Sequence, residues 1–208
     1  MVEHGWLGPI EWAVARRPRP GEKVCGDQSI AVDVNGAAAL FGVLDGLGHG
    51  AEAAAAALRA TEVLSRERAA PLGVLIRRCH QALTGTRGAA ITLARIDFHT
   101  GTLNWIGIGN VTANLVAKGP AGAQLRSSAL LTGGIVGYRI PDALPTQEAA
   151  MGPGDLLVIA SDGIADDHLD DIDFAGSAMV IAERMLNCHS RDADDALVLA
   201  ARHRGSST

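Results

Sequence analysis

Apolar and polar positions change their spacing several times along the chain, and each change marks a different element. Trp6 to Ala15 is mostly apolar and predicts a first strand, closed by an Arg- and Pro-rich turn from Arg16 to Gly21. Asp27 then leads into a segment whose apolar alternation suits a strand, and Ala37 to Leu44 is a nearly continuous apolar run that predicts a central strand. Glu52 to Arg68 has the alanine-rich composition and charged end of a helix of about four turns. Pro71 opens a second helix, on which Leu72, Leu75, Ile76, Cys79 and Leu83 form one apolar face.

Beyond that helix the period shortens. Gly88–Ile96, Leu103–Ile108, Asn110–Val116 and Ala123–Leu125 are short β-like segments separated by turn-forming residues, which predicts an antiparallel meander rather than alternating βαβ units. Leu156–Ala160 is a further apolar strand ending at Ser161-Asp162-Gly163. A third helix is predicted from Gly176 to about Cys188, and Asp192–Asp195 precedes a last strand over Ala196–Arg202. The tail from His203 to Thr208 is predicted to fray.

Composition fits this alternation of elements. At 208 residues, 48% hydrophobic and 20% charged, the chain is expected to form one globular domain over residues 1–208. Aromatic residues are only 3%, so the core must be built from Ala, Val, Leu and Ile. A net charge of −5 argues against a broad nucleic-acid surface, because neutralising phosphates needs a basic field. Cys25, Cys79 and Cys188 are far apart and form no CxxC pair, so neither a disulfide framework nor a zinc site is expected. No apolar window reaches the roughly 20 residues a membrane span needs, and the N-terminus lacks the charge order of a signal peptide. A cytoplasmic protein without membrane or nucleic-acid partners is expected.

The chemistry is carried by aspartates. Asp27, Asp45, Asp162 and the pair Asp194-Asp195 each stand at the end of an apolar strand, where a carboxylate is held rigidly at the rim of a sheet. If those strands pack side by side, the carboxylates converge, and like charges that close require protonation or cations. An all-oxygen donor set without His or Cys selects magnesium, manganese or calcium. Taken singly, each aspartate is more readily explained as a turn former or a helix cap. Glycines at 46, 48 and 50 let the chain turn after Asp45 and bring a carbonyl beside its carboxylate.

GDQ at 26–28, VLDGLGHG at 43–50, GIGN at 107–110, GDLLVIASDGI at 154–164 and DADDALVLAA at 192–201 together resemble a known series of motifs. They are those of the metal-dependent serine/threonine protein phosphatases of type 2C, the PPM superfamily. Within it they resemble the small bacterial branch typified by SpoIIE and the stressosome phosphatase RsbX, and most closely the RsbX type. The resemblance implies an α+β fold, a four-layer αββα sandwich of two antiparallel β-sheets flanked by antiparallel helices, with two Mn²⁺ or Mg²⁺ ions at one end. By matching motif, Asp45 would bridge both ions, the Gly46 carbonyl would bind one, Asp162 and Asp194 would complete the other, and Asp27 would hold the first directly or through water. Asp195 would stand behind these ligands. The expected activity is hydrolysis of phosphoserine or phosphothreonine in phosphorylated STAS-domain stressosome proteins, or, as the alternative, in a phosphorylated anti-sigma-factor antagonist. A catalytically weak fold serving as a binding module is a further alternative.

Three points at the same motifs stay open. His49 is either a proton donor or a turn residue capping the following helix, and Leu47 stands where larger relatives place a His. Lys23 and Arg19, with Arg17 nearby, are candidates to bind substrate phosphate, against a plain solvated turn. Gly107–Asn110 is expected to be a tight turn rather than a phosphate loop, and Leu131–Tyr138 either a mobile loop or a connector. Cys25 is expected to be a packed thiol, since no phosphate-cradling loop accompanies it. The segment from Gly46 also matches G-x-G-x-x-A between a strand and a helix, but Asp45 would repel a pyrophosphate at that helix N-terminus.

Overall fold

A computed structural model describes residues 1–120, 122–170 and 172–205. In chain order the strands are β1 (Val2–Leu7), β2 (Ile10–Arg17), β3 (Asp27–Val34), β4 (Ala38–Gly46), β5 (Ala89–Asp97), β6 (Thr102–Ile108), β7 (Thr112–Gly119), β8 (Gly122–Ser128), β9 (Leu131–Thr132), β10 (Gln147–Ala150), β11 (Leu156–Ala160) and β12 (Ala196–His203). The helices are α1 (Gly50–Arg66), α2 (Leu72–Leu83) and α3 (Ala178–His189). One sheet runs β1-β2-β12-β11-β7-β8 and the other β10-β6-β5-β4-β3. All pairs are antiparallel except the short β9, which lies parallel to β6.

The strand sequences explain the layering. On β4, Leu40 and Leu44 pack under α1 and α2, while Phe41 and Val43 on the opposite face pack against the other sheet. On β12, Val198 and Ala200 meet α3, while Leu197 and Leu199 enter the space between the sheets. A strand covered on both faces has no polar side, so it reads as a continuous apolar run rather than an alternating one. The result is an α+β sandwich with four layers, α1 and α2 on one side and α3 alone on the other among the described residues. All five residues of the apolar face expected on α2 are buried, and Ala53, Ala56, Ala57 and Ala60 give α1 a low surface that lies close on β3 and β4.

Several expectations are corrected. The predicted first strand is a hairpin, because Gly8-Pro9 makes the turn and proline offers no N–H to a continuing ladder. The expected meander is broken after β6. The chain leaves one sheet and joins the other at Gly109-Asn110, where Gly109 has φ +98° and a Cβ would stand 2.5 Å from that of Ala90. Leu131–Tyr138 is a pinned connector: β9 pairs with β6, and the Val136 and Ala89 backbones exchange N–H···O bonds of 2.9 Å each way. α3 starts at Ala178, with the Ser177 hydroxyl accepting from the Val180 N–H at 3.3 Å. The tail is docked through Gly205: His203 ends β12, and Arg204 donates to Glu11 at 2.6 Å through Nε. Ser206–Thr208, the rest of the stretch predicted to fray, lie outside the described residues.

Candidate active site

The register of β3 and β4 sets Asp27 directly opposite Asp45 at the end of the ladder. Both side chains therefore leave the same face of the sheet within a few ångströms of each other. Asp27 is buried, and its Oδ2 accepts from the Ser161 hydroxyl at 2.7 Å. Ser161 follows β11 in the opposite sheet, and its hydroxyl oxygen also accepts from the Leu197 N–H at 2.9 Å. One serine thus joins the rims of both sheets and brings the loop carrying Asp162 beside Asp27.

Asp162 is positioned from two directions. Its Oδ2 accepts from the Asn110 amide at 2.6 Å, and its backbone carbonyl accepts from Arg191 Nη1 at 3.1 Å. Asn110 can reach because β7 pairs with β11, with Thr112 opposite Ala160, so the crossover turn and the Asp162 turn leave the sheet together. Asp195 is buried and fully engaged: Oδ1 accepts from the Arg19 N–H at 2.8 Å and Oδ2 from the Gly26 N–H at 2.9 Å. It thereby clamps the turn that delivers Asp27. Asp194, half-buried, accepts from the Asp195 N–H at 2.8 Å through Oδ1.

The electrostatics show convergence. Burial pushes the Asp27 carboxyl up to about 7, and the charges of Asp195, Asp162 and Asp194 push the same way against the Ser161 hydrogen bond. Burial pushes Asp45 up to about 9, with Asp27, Asp162 and Asp194 adding to it. Asp162 is raised as well, by burial and then by Asp194, while Arg191 opposes. Each of these carboxylates is destabilised by the same few neighbours, so they share one field.

That field suits a hard divalent cation, as does the donor set, which is oxygen throughout. Among the described residues no three His, Cys, Asp or Glu side chains form a ready cage, so a bound ion would also draw on backbone carbonyl and water. The backbone is shaped for close approach at both Asp-Gly corners. A Cβ on Gly46 would stand 2.1 Å from the Ala53 carbonyl oxygen, and one on Gly163 would stand 1.8 Å from that of Asp195. Only glycine fits either place.

The remaining sequence candidates sit around this rim. His49 occupies the N-cap position of α1, yet its side chain makes no capping bond; its Nδ1 lies 2.7 Å from Glu22 Oε1. Lys23 is exposed, and Arg19 reaches the site through its backbone N–H. Arg17 is engaged elsewhere, with Asp192 at 3.0 Å and the Ser190 hydroxyl at 3.0 Å. The Cys25 thiol donates to the Arg17 carbonyl at 3.3 Å, and burial pushes it up to about 12, so it stays protonated and packed. Ser161, Asn110 and Arg191 join the site without having been expected there. For Asn110 the sequence offers only an amide directly after the glycine of a turn, which local uses explain equally well.

Two stacked antiparallel sheets with helices outside and carboxylates gathered at one rim define the class of the PP2C-type phosphatases. The sequence profile of Stage II sporulation protein E (SpoIIE) matches residues 35–204, and the chain belongs to that family. It is similar to phosphoserine phosphatase RsbX of Bacillus subtilis (strain 168), 25% identical over 158 residues that cover 74% of this chain and 75% of that protein. Among solved structures, one described as "The bacterial stressosome: a modular system that has been adapted to control secondary messenger signaling" is 31% identical, with TM-score 0.81, over 93% of this chain and 99% of that one. RsbX in complex with magnesium superposes with TM-score 0.79 at 22% identity, covering 97% and 98% of the two chains. The PP2C phosphatase domain of SpoIIE from Bacillus subtilis follows with TM-score 0.75 at 16% identity, over all of this chain (100%) and 70% of that one.

Proposed function

We propose that this chain is a metal-dependent phosphoserine/phosphothreonine protein phosphatase of the cytoplasm that acts on phosphorylated STAS-domain stressosome proteins and so resets a stress signal. The observation that carries this is the shared field of Asp27, Asp45, Asp162 and Asp194 at one rim, where the carboxyls of Asp27 and Asp45 are held far above their ordinary range. Asp45, the Gly46 carbonyl, Asp27, Asp162 and Asp194 would hold two Mn²⁺ or Mg²⁺ ions. Such a pair supplies acidified water at neutral pH and offsets charge on the phosphoryl oxygens.

The chain's own groups prepare the site for that chemistry. Ser161 fixes Asp27, Asn110 fixes Asp162, and Asp195 fixes the turn before β3, so the carboxylates are oriented before any ligand arrives. His49, at the start of α1 and held by Glu22, would give a proton to the departing serine or threonine oxygen. Lys23, exposed in the turn before β3, and Arg19, whose backbone N–H is bound by Asp195, would attract the phosphoryl group. No described helix is long and apolar enough to cross a membrane.

Substrate identity rests on relatives. The likeness to the phosphoserine phosphatase RsbX and to a structure described under the bacterial stressosome favours a stressosome phosphoprotein, and a phosphorylated anti-sigma-factor antagonist is the second reading. Incubating the protein with Mn²⁺ and equal amounts of a phosphorylated stressosome STAS protein and a phosphorylated antagonist separates them. The expected result is at least about tenfold faster phosphate release from the stressosome protein, a transition-state difference of about 1.4 kcal/mol. Equal rates would remove the stressosome assignment, and no release from either would favour a binding module.

A further inference from the structure

Beside the carboxylate rim lies a cleft of about 580 Å³ between α1 and the turn before β5. Glu52, Ala55, Ala56 and Arg59 form its α1 wall at helical spacing, and Gly85–Arg87 form the other. The turn is fixed by its own bonds: the Thr86 hydroxyl donates to the Leu83 carbonyl at 2.7 Å and accepts from the Gly88 N–H at 3.1 Å. The Leu47 N–H donates to the Gly88 carbonyl at 3.0 Å, which extends the β4–β5 ladder past Asp45. As a consequence Arg87 lies over Gly48, where a Cβ would stand 2.8 Å from its Nη1. The cleft and the carboxylate loop therefore share a wall.

The charge of the cleft is opposite to that of the protein. Arg87 Nη2 meets Glu52 Oε2 at 2.5 Å, with both side chains about half exposed or more. Arg59 is exposed and makes no ion pair among the described residues. Two guanidinium groups against one carboxylate leave the cleft cationic, on a chain whose net charge is −5. Guanidinium forks match carboxylate geometry, and the low alanine floor leaves room for a peptide chain to pass.

We propose that this cleft binds acidic side chains flanking the phosphorylated residue of the substrate protein, with Arg87 and Arg59 as specificity-determining groups. This rests on the phosphatase reading above for the placing of the phosphorylated residue at the carboxylate rim. Glu52 occupies Arg87 in the free protein and is displaced by the incoming carboxylate.

The test uses two fluorescein-labelled phosphoserine peptides, one with aspartates on both sides of the phosphoserine and one with alanines there. Binding is read by anisotropy with Mn²⁺ present, and turnover by phosphate release. The expected result is a Kd about fivefold lower for the acidic peptide, in line with two partly exposed arginine–carboxylate pairs. Arg59→Ala with Arg87→Ala abolishes that preference, the corresponding double Lys variant retains part of it, and Glu52→Gln enlarges it by freeing Arg87. A merely structural role for these residues would not shift the preference in opposite directions. Equal affinity of the intact protein for both peptides, or an unchanged preference in the double Ala variant, would overturn the proposal. If the acidic peptide binds preferentially but neither is hydrolysed, the cleft stands and the phosphatase reading falls; if both are hydrolysed with equal KM and equal affinity, the reverse holds.

Discussion

Asp45 concentrates the physics of the site. An unfolded aspartate titrates near 3.9, whereas burial and three neighbouring carboxylates raise Asp45 to about 9 in the folded chain. Between those values the folded state binds more protons than the unfolded state, so without metal its stability falls as pH rises, and is fully retained only below the ordinary carboxylate range. Asp27, raised to about 7, acts in the same direction. In EDTA, Asp45→Asn is therefore expected to melt higher than wild type at about pH 8, with the gap shrinking towards about pH 5. Mn²⁺ should reverse the order by stabilising the wild type alone. A gap independent of pH in thermal unfolding would show that Asp45 is not under this strain. The aspartates themselves were legible in the sequence from their place at the ends of apolar runs, Asp45 and Asp162 after one and Asp27 and Asp194 before one. Their supports, Ser161 and Asn110, were not, because a hydroxyl or amide in a turn has many local uses and only the pairing of distant strands gives it a long-range one.

At the scale of elements, apolar runs on β4, β11 and β12 were readable because both faces are covered, and the helix faces followed from the 3.6 period. Three features were not. The β1–β2 hairpin hides in one apolar stretch, β10 is a short polar edge strand, and the crossover at Gly109-Asn110 resembles any other hairpin turn. Local sequence carries the turn but not the sheet the next strand joins. That crossover matters to function, since it places Asn110 beside Asp162. The two rims are then tied by Ser161, whose removal leaves the Leu197 N–H and Asp27 without that partner. Ser161→Ala should cost about 1–3 kcal/mol. In calorimetry this reads as a fall of roughly 3–10 °C in Tm. An unchanged Tm would mean the sheets are registered by apolar packing alone.

Over the whole molecule, the sandwich converts separate strand ends into one place. Residues 27, 45, 162 and 194 are far apart in sequence, and only stacking the two sheets gathers their carboxylates. Three apolar layers behind them, one under each helix layer and one between the sheets, hold the rim, while the cationic cleft at Arg59 and Arg87 flanks it. The proposed function therefore belongs to the rim rather than to any single motif. The most direct test is the rate of p-nitrophenyl phosphate hydrolysis as a function of Mn²⁺, for wild type and Asp45→Asn side by side. The expected result is Mn²⁺-dependent turnover that EDTA abolishes and that falls by at least about 10²-fold in the variant, some 2.7 kcal/mol of lost transition-state stabilisation. Metal-independent turnover, or an equal rate in the variant, would contradict it.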